Sequence, residues 1–352
     1  MYDGINRSYF YYLPTNYNPS VAAPLILNLH GHTSNNSQQE MYSNFKPIAD
    51  TAGFIMVYPQ GTNSVYSGAP SWNYNIWLET VDDLGFLNAL IDTVSSHVNI
   101  DPSRVYCTGM SNGGFMSYYM ALYSNKFAAV ASVTGSMAKS ENGSPAIPIP
   151  VMQIHGTADI VVPYNGDITM RPIEETVGKW VTWNQCNSTP TITPVPDINT
   201  SDNATAEHYV YTGGINGNTV EFYKITNGGH TWPGSPIPLI TNGNTCMDFS
   251  ASKEIWRFFS QYSRPDLALE LTKETPLNIQ IYPNPANEEL WISSEGTNFK
   301  GEIYSLQGEL VSSFEAKNTI HKTDVSHLES GIYVVQLRVG EQVVEKKLVI
   351  TH

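Results

Sequence analysis

The chain has 352 residues, of which 41% are hydrophobic and 11% aromatic, and this composition excludes a globally disordered polypeptide. The formal net charge of −14 at pH 7 argues against a nucleic-acid partner and against stable docking on an anionic membrane, because both need a basic surface. No apolar run approaches the ~20 residues of a membrane-spanning helix. The length favours one large domain and a small one.

In the first 264 residues, short apolar runs that predict buried strands alternate with segments of helical periodicity. The expected strands are Arg7–Leu13, Leu25–Leu29, Phe54–Tyr58, a run from Val105, Ala128–Val133, Val151–Ile154, His208–Tyr211 and Val220–Ile225. The expected helices are Tyr42–Ala52, Val81–Val98, Ile173–Asn184 and Phe249–Tyr262. This alternation predicts an α/β fold with a doubly wound, mostly parallel sheet over residues 1–264.

The pattern then changes to short strands separated by turns, after a segment at 265–277 that we interpret as a linker. The expected strands are Leu290–Ser293, Gly301–Ser305, Glu309–Phe314, Gly331–Val339 and Gln342–Ile350. The last two are expected to form a hairpin through Val339-Gly340-Glu341. Residues 278–352 therefore predict a second, small all-β sandwich domain.

The pentapeptide Gly109-Met110-Ser111-Asn112-Gly113 lies between an expected strand and an expected helix. A serine with a glycine two residues to either side in this context is the pattern of a nucleophile elbow. The sharp turn strains the serine backbone, and the glycines let the neighbouring elements pass close by. The alternative is a glycine-rich turn with an incidental serine. We predict that Ser111 is a nucleophile.

A nucleophilic serine needs a histidine base and an acid that orients it, and in this topology the acid precedes the histidine along the chain. Asp159 follows the expected strand Val151–Ile154, and His230 follows a later strand and two glycines. The alternatives are a turn or capping role for Asp159 and a structural loop role for His230. Neither explains the order, so we predict a triad of Ser111, Asp159 and His230. His155 is expected to be a structural donor.

An acyl-transfer site also needs two donors for an oxyanion. One is expected to be the backbone N–H of Asn112, directly after the nucleophile. The other is expected in the loop after the strand Leu25–Leu29, from the N–H of His32, with Thr33 next in line. His30 and His32 have no acidic partner nearby in sequence, so a metal pair is not predicted. Neither a metal nor a cofactor is expected.

The chain has three cysteines, and their spacing does not suggest a metal site. Cys107 lies in the strand before the elbow and is expected to be a small buried residue. Cys186 and Cys246 could form a disulfide between loops in an oxidising compartment, or remain two unpaired thiols. We favour the bridge.

Four ordered motifs within residues 5 to 262 resemble the polyhydroxybutyrate depolymerase-like esterases, which shade into the feruloyl and acetylxylan esterases of the α/β-hydrolase superfamily. The motifs are His30-Gly31, Gly109-Met110-Ser111-Asn112-Gly113-Gly114, His155-Gly156-Thr157-Ala158-Asp159 and Gly229-His230-Thr231-Trp232-Pro233-Gly234. The resemblance implies a carboxylic ester hydrolase with the triad named above. Depolymerases of this kind often have a cysteine after the His-Gly pair, where this chain has His32.

The end of the chain resembles the C-terminal sorting domain of cargo of the type IX secretion system, which exports proteins across the outer membrane of certain Gram-negative bacteria. The resemblance rests on Ile281-Tyr282-Pro283-Asn284-Pro285, Gly331-Ile332-Tyr333-Val334-Val335 and Lys346-Lys347-Leu348-Val349-Ile350. A carbohydrate-binding sandwich is the alternative. The resemblance implies the secretion machinery as a partner, a secreted or surface-held protein, and a signal peptide that has been removed.

Trp72, Trp77 and Trp232 lie on loops that this topology tends to place at the carboxyl ends of the strands. They either line a cleft that accepts aromatic groups or pack their loops onto the core. With secretion, an aromatic cleft favours feruloyl or acetyl esters of plant polysaccharide as substrates. Polyhydroxyalkanoate or aromatic polyester is the alternative substrate. A non-catalytic surface-binding protein with a decayed hydrolase domain is the alternative from a different class.

Overall fold

The computed structural model describes residues 1–75, 80–237, 240–264, 279–294, 299–305, 308–339 and 342–352. They form two units, one before and one after the segment 265–278. The expected linker at 265–277, Trp77 and the expected turn at Gly340-Glu341 lie outside the described residues. Within the described ranges, no helix has both the length and the apolar character needed to cross a membrane.

The first unit has strands and helices in alternation. Its strands are β1 (Tyr9–Tyr12), β2 (Ala23–Leu29), β3 (Ile55–Pro59), β4 (Thr62–Asn63), β5 (Pro70–Ser71), β6 (Ile100–Met110), β7 (Ala129–Val133), β8 (Val151–Gly156), β9 (Thr191–Pro194), β10 (Thr205–Tyr211) and β11 (Val220–Thr226). Its α-helices are α1 (Asn36–Ser43), α2 (Lys46–Ala52), α3 (Asp83–Ser95), α4 (Asn112–Tyr123), α5 (Ile173–Trp183) and α6 (Ala251–Phe259). Short 3-10 turns lie at Ile215–Gly217 and Ile240–Asn242.

Nine of these strands form one sheet in the order β1-β3-β2-β6-β7-β8-β11-β10-β9. The strands from β3 to β11 in this order pair in parallel, whereas β1, β10 and β9 pair antiparallel at the two edges. Every residue of β2 and β3 is buried, and one hydrophobic cluster covers each face of the sheet. Such burial on both faces explains the continuous apolar runs. The predicted fold class is confirmed.

Two of the differences from the predicted element boundaries have a clear structural cause. The expected helix Tyr42–Ala52 is wrong, because Asn44 adopts φ 50° and ends α1, and α2 begins two residues later. The strand before the elbow was expected as a run from Val105, but β6 begins at Ile100. Its pairing with β2 shifts register between Ala23 and Leu25, which lets Pro102 enter the strand without a ladder N–H.

The second unit is all-β. Its strands are β12 (Ile279–Tyr282), β13 (Glu289–Ser294), β14 (Phe299–Ser305), β15 (Leu310–Ala316), β16 (Ile320–Asp324), β17 (Gly331–Val339) and β18 (Gln342–Ile350). They form the antiparallel sheets β12-β13-β16 and β15-β14-β17-β18, whose buried residues belong to one hydrophobic cluster. The strands β12 and β16 were missed, because each contributes few buried residues to the pattern.

Candidate active site

Four loops of the first unit meet at one edge of the parallel sheet because each follows the carboxyl end of a parallel strand. His30 follows β2, Ser111 follows β6, Asp159 comes three residues after β8, and His230 comes four residues after β11. These strands lie close together in the sheet order, with β7 between β6 and β8. Residues that are up to 200 positions apart in the chain therefore converge on one site.

Ser111 occupies the sharp turn between β6 and α4 with φ 55° and ψ −120°, a conformation that side-chain-bearing residues rarely adopt. Its N–H donates to the carbonyl of Val133 at 2.8 Å. A Cβ added at Gly109 would lie 2.6 Å from the backbone of Gly113, and one added at Gly113 would lie 2.2 Å from Leu29 O. The backbones of three elements thus pass too close for any residue but glycine at these two positions.

Asp159 and His230 form a buried, hydrogen-bonded pair. His230 Nδ1 lies 2.8 Å from Asp159 Oδ2, and because a carboxylate can only accept, Nδ1 carries the proton and donates it. Asp159 Oδ1 accepts from the N–H groups of Val161 and Val162, each at 2.9 Å. These three bonds determine the direction of the carboxylate. They also leave His230 Nε2 as the nitrogen that can act as a base.

His155 contacts the carboxylate of Asp159. Gln153 Nε2 lies 3.0 Å from His155 Nδ1, so Nδ1 accepts, and Nε2–H points to Val162 O at 2.9 Å and to Asp159 Oδ2 at 3.4 Å. Tyr118 donates its hydroxyl to Gln153 Oε1, which orients the amide. Burial lowers the pKa of His155 to about 4, so the ring is neutral at pH 7. It acts as a structural donor, the role the sequence predicts for it.

The two expected oxyanion donors lie on either side of Ser111. Neither the N–H of His32 nor that of Asn112 donates to another residue in the part of the chain that is described. The N–H of Thr33, the next in line, donates to Pro70 O at 2.9 Å and is therefore engaged. The N–H groups of His32 and Asn112 are thus available to bind an oxyanion.

A polar clamp joins these two loops. Asn112 Oδ1 accepts from Trp72 N at 2.7 Å, and Asn112 Nδ2 donates to Trp72 O at 3.1 Å. The Trp72 indole N–H donates to His30 O at 3.0 Å. The His30 ring bonds Gly31 O and Gly61 N, and burial lowers its pKa to about 4, so it is neutral. The side chain of Asn112 therefore positions the loop that carries His32.

Two cavities open on either side of Ser111, and His32 lines both. The first cavity, of about 430 Å³, is lined by Gly31, His32, Thr33, Ser34, Gln38, Gln39, Met41, Tyr42, Met110, Ser111, His230, Ile237 and Asn242. The second cavity, of about 440 Å³, is lined by His32, Ser64, Tyr66, Ser67, Ser71, Trp72, Tyr74, Ser111, Asn112, Phe115, Val162 and Met170. Of the two cavities, the first has His230 among its described lining residues and the second does not.

Two of the three tryptophans predicted to line a substrate cleft lie among the described residues, and one of these two borders a cavity beside Ser111. Trp232 is wrong as a substrate-binding residue, because it is 1% exposed, packs on Phe45 and donates its N–H to Ser252 Oγ. Trp72 borders the second cavity but is only 2% exposed, because its indole is used in the clamp on His30. Trp77 lies outside the described residues.

Sequence reasoning missed Tyr66, Tyr74, Phe115 and Met170, which line the second cavity. Phe115 lies four residues after Ser111, so the helical repeat places it on the same face of α4 as the nucleophile. That spacing is the signal that could have identified it.

The predicted bridge between Cys186 and Cys246 is wrong, because both thiols are free. Cys186 donates to Asn218 O just before β11, whereas Cys246 donates to Asp248, near Asp202 and the start of β10. β10 and β11 are antiparallel, so the two thiols lie at opposite ends of strands about 23 Å long. A disulfide needs Cβ atoms about 4 Å apart.

Asp202, Cys246 and Asp248 are the described residues whose ligand atoms lie close enough together to hold a metal ion. Their carboxylates already accept backbone N–H groups, from Ala204 and Met247 to Asp202 and from Ile198 and Asn199 to Asp248. Burial raises the pKa of the Cys246 thiol to about 12, which disfavours the thiolate that a metal would need. We assign this cluster a structural role in its loop.

Comparisons with known proteins agree with this architecture. The family model for "Esterase PHB depolymerase" matches residues 7–174, and that for "Secretion system C-terminal sorting domain" matches residues 280–351. The acetyl xylan esterase from Aspergillus awamori has a similar structure, with a TM-score of 0.50 and 17% identity over 72% of this chain and 94% of that one. At this identity the likeness shows the fold alone.

Two curated relatives are esterases by name. The bifunctional acetylxylan esterase/xylanase of Neocallimastix patriciarum is 32% identical over 46% of this chain and 22% of its own length. Feruloyl esterase B of Piromyces equi is 30% identical over 62% of this chain and 41% of its own length. The chain thus spans less than half the length of either relative. By these matches the chain is similar to PHB depolymerase-type esterases over residues 7–174 and to secretion system C-terminal sorting domains over residues 280–351.

Proposed function

We propose that the protein is a secreted serine esterase that cleaves carboxylic esters through an acyl-enzyme, with Ser111, His230 and Asp159 as its triad. The observation that carries this proposal is the 2.8 Å bond from His230 Nδ1 to the buried Asp159, together with the strained Ser111 in the wall of the cavity that His230 also lines. The match of residues 7–174 to the esterase family model supports the same reaction class. No described helix could span a membrane, and the sorting domain points to secretion or the cell surface.

In the proposed reaction, His230 Nε2 takes the proton of Ser111 Oγ as the oxygen attacks the ester carbonyl. The oxyanion accepts hydrogen bonds from the N–H groups of His32 and Asn112. The bond to the alcohol then breaks, and His230 returns the proton to the alcohol oxygen as it leaves. Water repeats these steps on the acyl-enzyme and releases the acid. Asp159 keeps the proton on Nδ1 and stabilises the imidazolium that forms.

We propose feruloyl or acetyl esters of plant polysaccharide as substrates. The aromatic wall of the second cavity supports a feruloyl group, and the names of the two curated relatives are consistent with both esters. A polyhydroxyalkanoate or aromatic polyester is the second candidate. It is favoured by the family description and by Met41 and Ile237, which line the first cavity and are each more than half exposed.

The first test measures acid release from methyl ferulate, acetylated xylan and a polyhydroxybutyrate film by the wild type and by Ser111→Ala. We expect ferulate or acetate release that the substitution abolishes, while the circular dichroism spectrum is unchanged. Clearing of the film alone would indicate a depolymerase. If the wild type cleaves none of these esters, the protein is a non-catalytic surface-binding protein and the proposal fails.

Secretion is tested separately. Removal of residues 278–352 should block export from a bacterium that has this secretion system and leave Ser111-dependent ester hydrolysis in the cell extract. Export of the truncated chain at the wild-type level would contradict the role of the sorting domain.

A further inference from the structure

We infer that the second cavity receives the acyl group of the ester and the first cavity receives its alcohol, so that the enzyme selects an aromatic acid through Tyr66, Tyr74 and Met170. This inference rests on the proposed function. It assigns each half of the substrate to one side of Ser111.

The position of the base determines the side of the alcohol. When the tetrahedral intermediate collapses, the bond from carbon to the alcohol oxygen breaks, and this oxygen must take its proton from His230. The alcohol must therefore lie on the side of His230. His230 lines the first cavity. It is not among the described residues that line the second cavity.

The oxyanion donors determine the side of the acyl group. The carbonyl carbon is bound to Ser111 Oγ, its oxygen faces the N–H groups of His32 and Asn112, and the alcohol points to His230. The remaining substituent is the acyl chain, which must point away from the base. Ser111 lines both cavities, whereas His230 is in the lining of the first and not of the second, so the space beside Ser111 that faces away from the base is the second cavity.

The two walls have the chemistry that this assignment requires. Tyr74 and Phe115 stack with their centroids 4.9 Å apart, Tyr66 presents a ring that is 58% exposed, and Met170 adds a thioether. Aromatic rings and thioethers bind a planar aromatic acid by offset stacking and sulfur contacts. A volume of about 440 Å³ is in the range of drug-sized ligand sites, so an acetyl group would leave most of it unfilled.

The wall of the first cavity combines polar and apolar groups. It presents the hydroxyl groups of Thr33 and Ser34 and the amides of Gln38 and Asn242, beside the apolar Met41 and Ile237. Hydroxyl and amide groups match the hydroxyl groups of a sugar alcohol. The partly exposed rings of Tyr66 and Tyr74 distinguish the second cavity, as an aromatic acid esterified to a carbohydrate would need.

The test varies the acid and the alcohol independently. The rates kcat/KM are measured for methyl ferulate, methyl acetate and ferulate esterified to arabinose, in the wild type, Tyr66→Ala, Met170→Ala and Met41→Ala. All three side chains are at least partly exposed, so the variants should fold. The second-cavity variants should lower the ferulate-to-acetate ratio by about fivefold or more, because they remove an aromatic or sulfur contact. Met41→Ala should change that ratio less than about twofold.

The alcohol provides the converse comparison. Met41→Ala should alter the ratio of the arabinose ester to methyl ferulate, whereas Tyr66→Ala should leave it unchanged. With p-nitrophenyl ferulate, the steady rate after the burst reports hydrolysis of the acyl-enzyme, from which the alcohol has gone. This rate should fall in Tyr66→Ala and not in Met41→Ala.

The reverse pattern, or equal effects of both variants on both ratios, would overturn the assignment while leaving the esterase function intact. Failure of the proposed function would be seen differently, as no Ser111-dependent hydrolysis of p-nitrophenyl acetate by the wild type.

Discussion

Asp159→Asn separates the proposed catalytic role of the buried carboxylate from its structural role. In the present structure Oδ1 accepts two backbone N–H groups, and an asparagine oxygen can keep both bonds. The amide NH₂ would then face His230 Nδ1, which would have to accept a hydrogen bond and give up its proton. The proton would move to Nε2, the nitrogen that must act as the base. The variant should therefore fold and be unable to activate Ser111.

The expected loss in kcat is about 10³- to 10⁴-fold, the size of the effect of the same change in serine protease triads, or about 4–5 kcal/mol in activation free energy. The assay is hydrolysis of p-nitrophenyl acetate at pH 7, with the melting temperature measured in parallel. Asp248→Asn is the matched control, because Asp248 is also buried and also accepts two backbone N–H groups, but it does not contact His230. Retention of more than a tenth of the activity in Asp159→Asn, or an equal loss in the control, would refute the reasoning.

Three further predictions concern stability and the thiols. Gly113→Ala should destabilise the fold by about 3 kcal/mol or more, because its Cβ would lie 2.2 Å from Leu29 O. Gly178→Ala is the control: it has open space around it and should stabilise α5 by about 0.5–1 kcal/mol. Equal melting temperatures of the two variants would contradict this. Burial lowers the pKa of both His30 and His155 to about 4, so the unfolded chain binds more protons below pH 6.5. The stability that these neutral rings contribute is complete above pH 6.5 and is lost as the pH falls towards 4. Urea unfolding midpoints that do not change between pH 7 and pH 5 would exclude this contribution. Mass spectrometry of the unfolded, unreduced protein after alkylation should find three alkylated thiols. A single alkylated thiol would show that Cys186 and Cys246 form a disulfide after all.

Much of the fold could be predicted from the sequence because local patterns carry it. Strands that are buried on both faces appear as continuous apolar runs, and β2, β3, β7 and β8 lie close to where those runs predict them. The edge strand β9 was missed because all of its residues are exposed and no apolar run marks it.

The convergence of Ser111, Asp159 and His230 could likewise be predicted from the sequence, since each follows a strand and parallel strands end at one edge of the sheet. The steric need for Gly109 and Gly113 was implied by the elbow motif and corresponds to the close backbone contacts of the structure.

The lining of the cavities, the burial of Trp72 and Trp232, and the separation of Cys186 from Cys246 were decided only by the tertiary structure. Each depends on contacts between segments that are distant in the chain, such as the 40 positions from Trp72 to Asn112 or the 190 from Tyr42 to Trp232. A loop tryptophan has the same local sequence whether its ring faces a substrate or the core. Local pattern therefore determined which residues reach the edge of the sheet, and long-range packing determined which of them face the space beside Ser111.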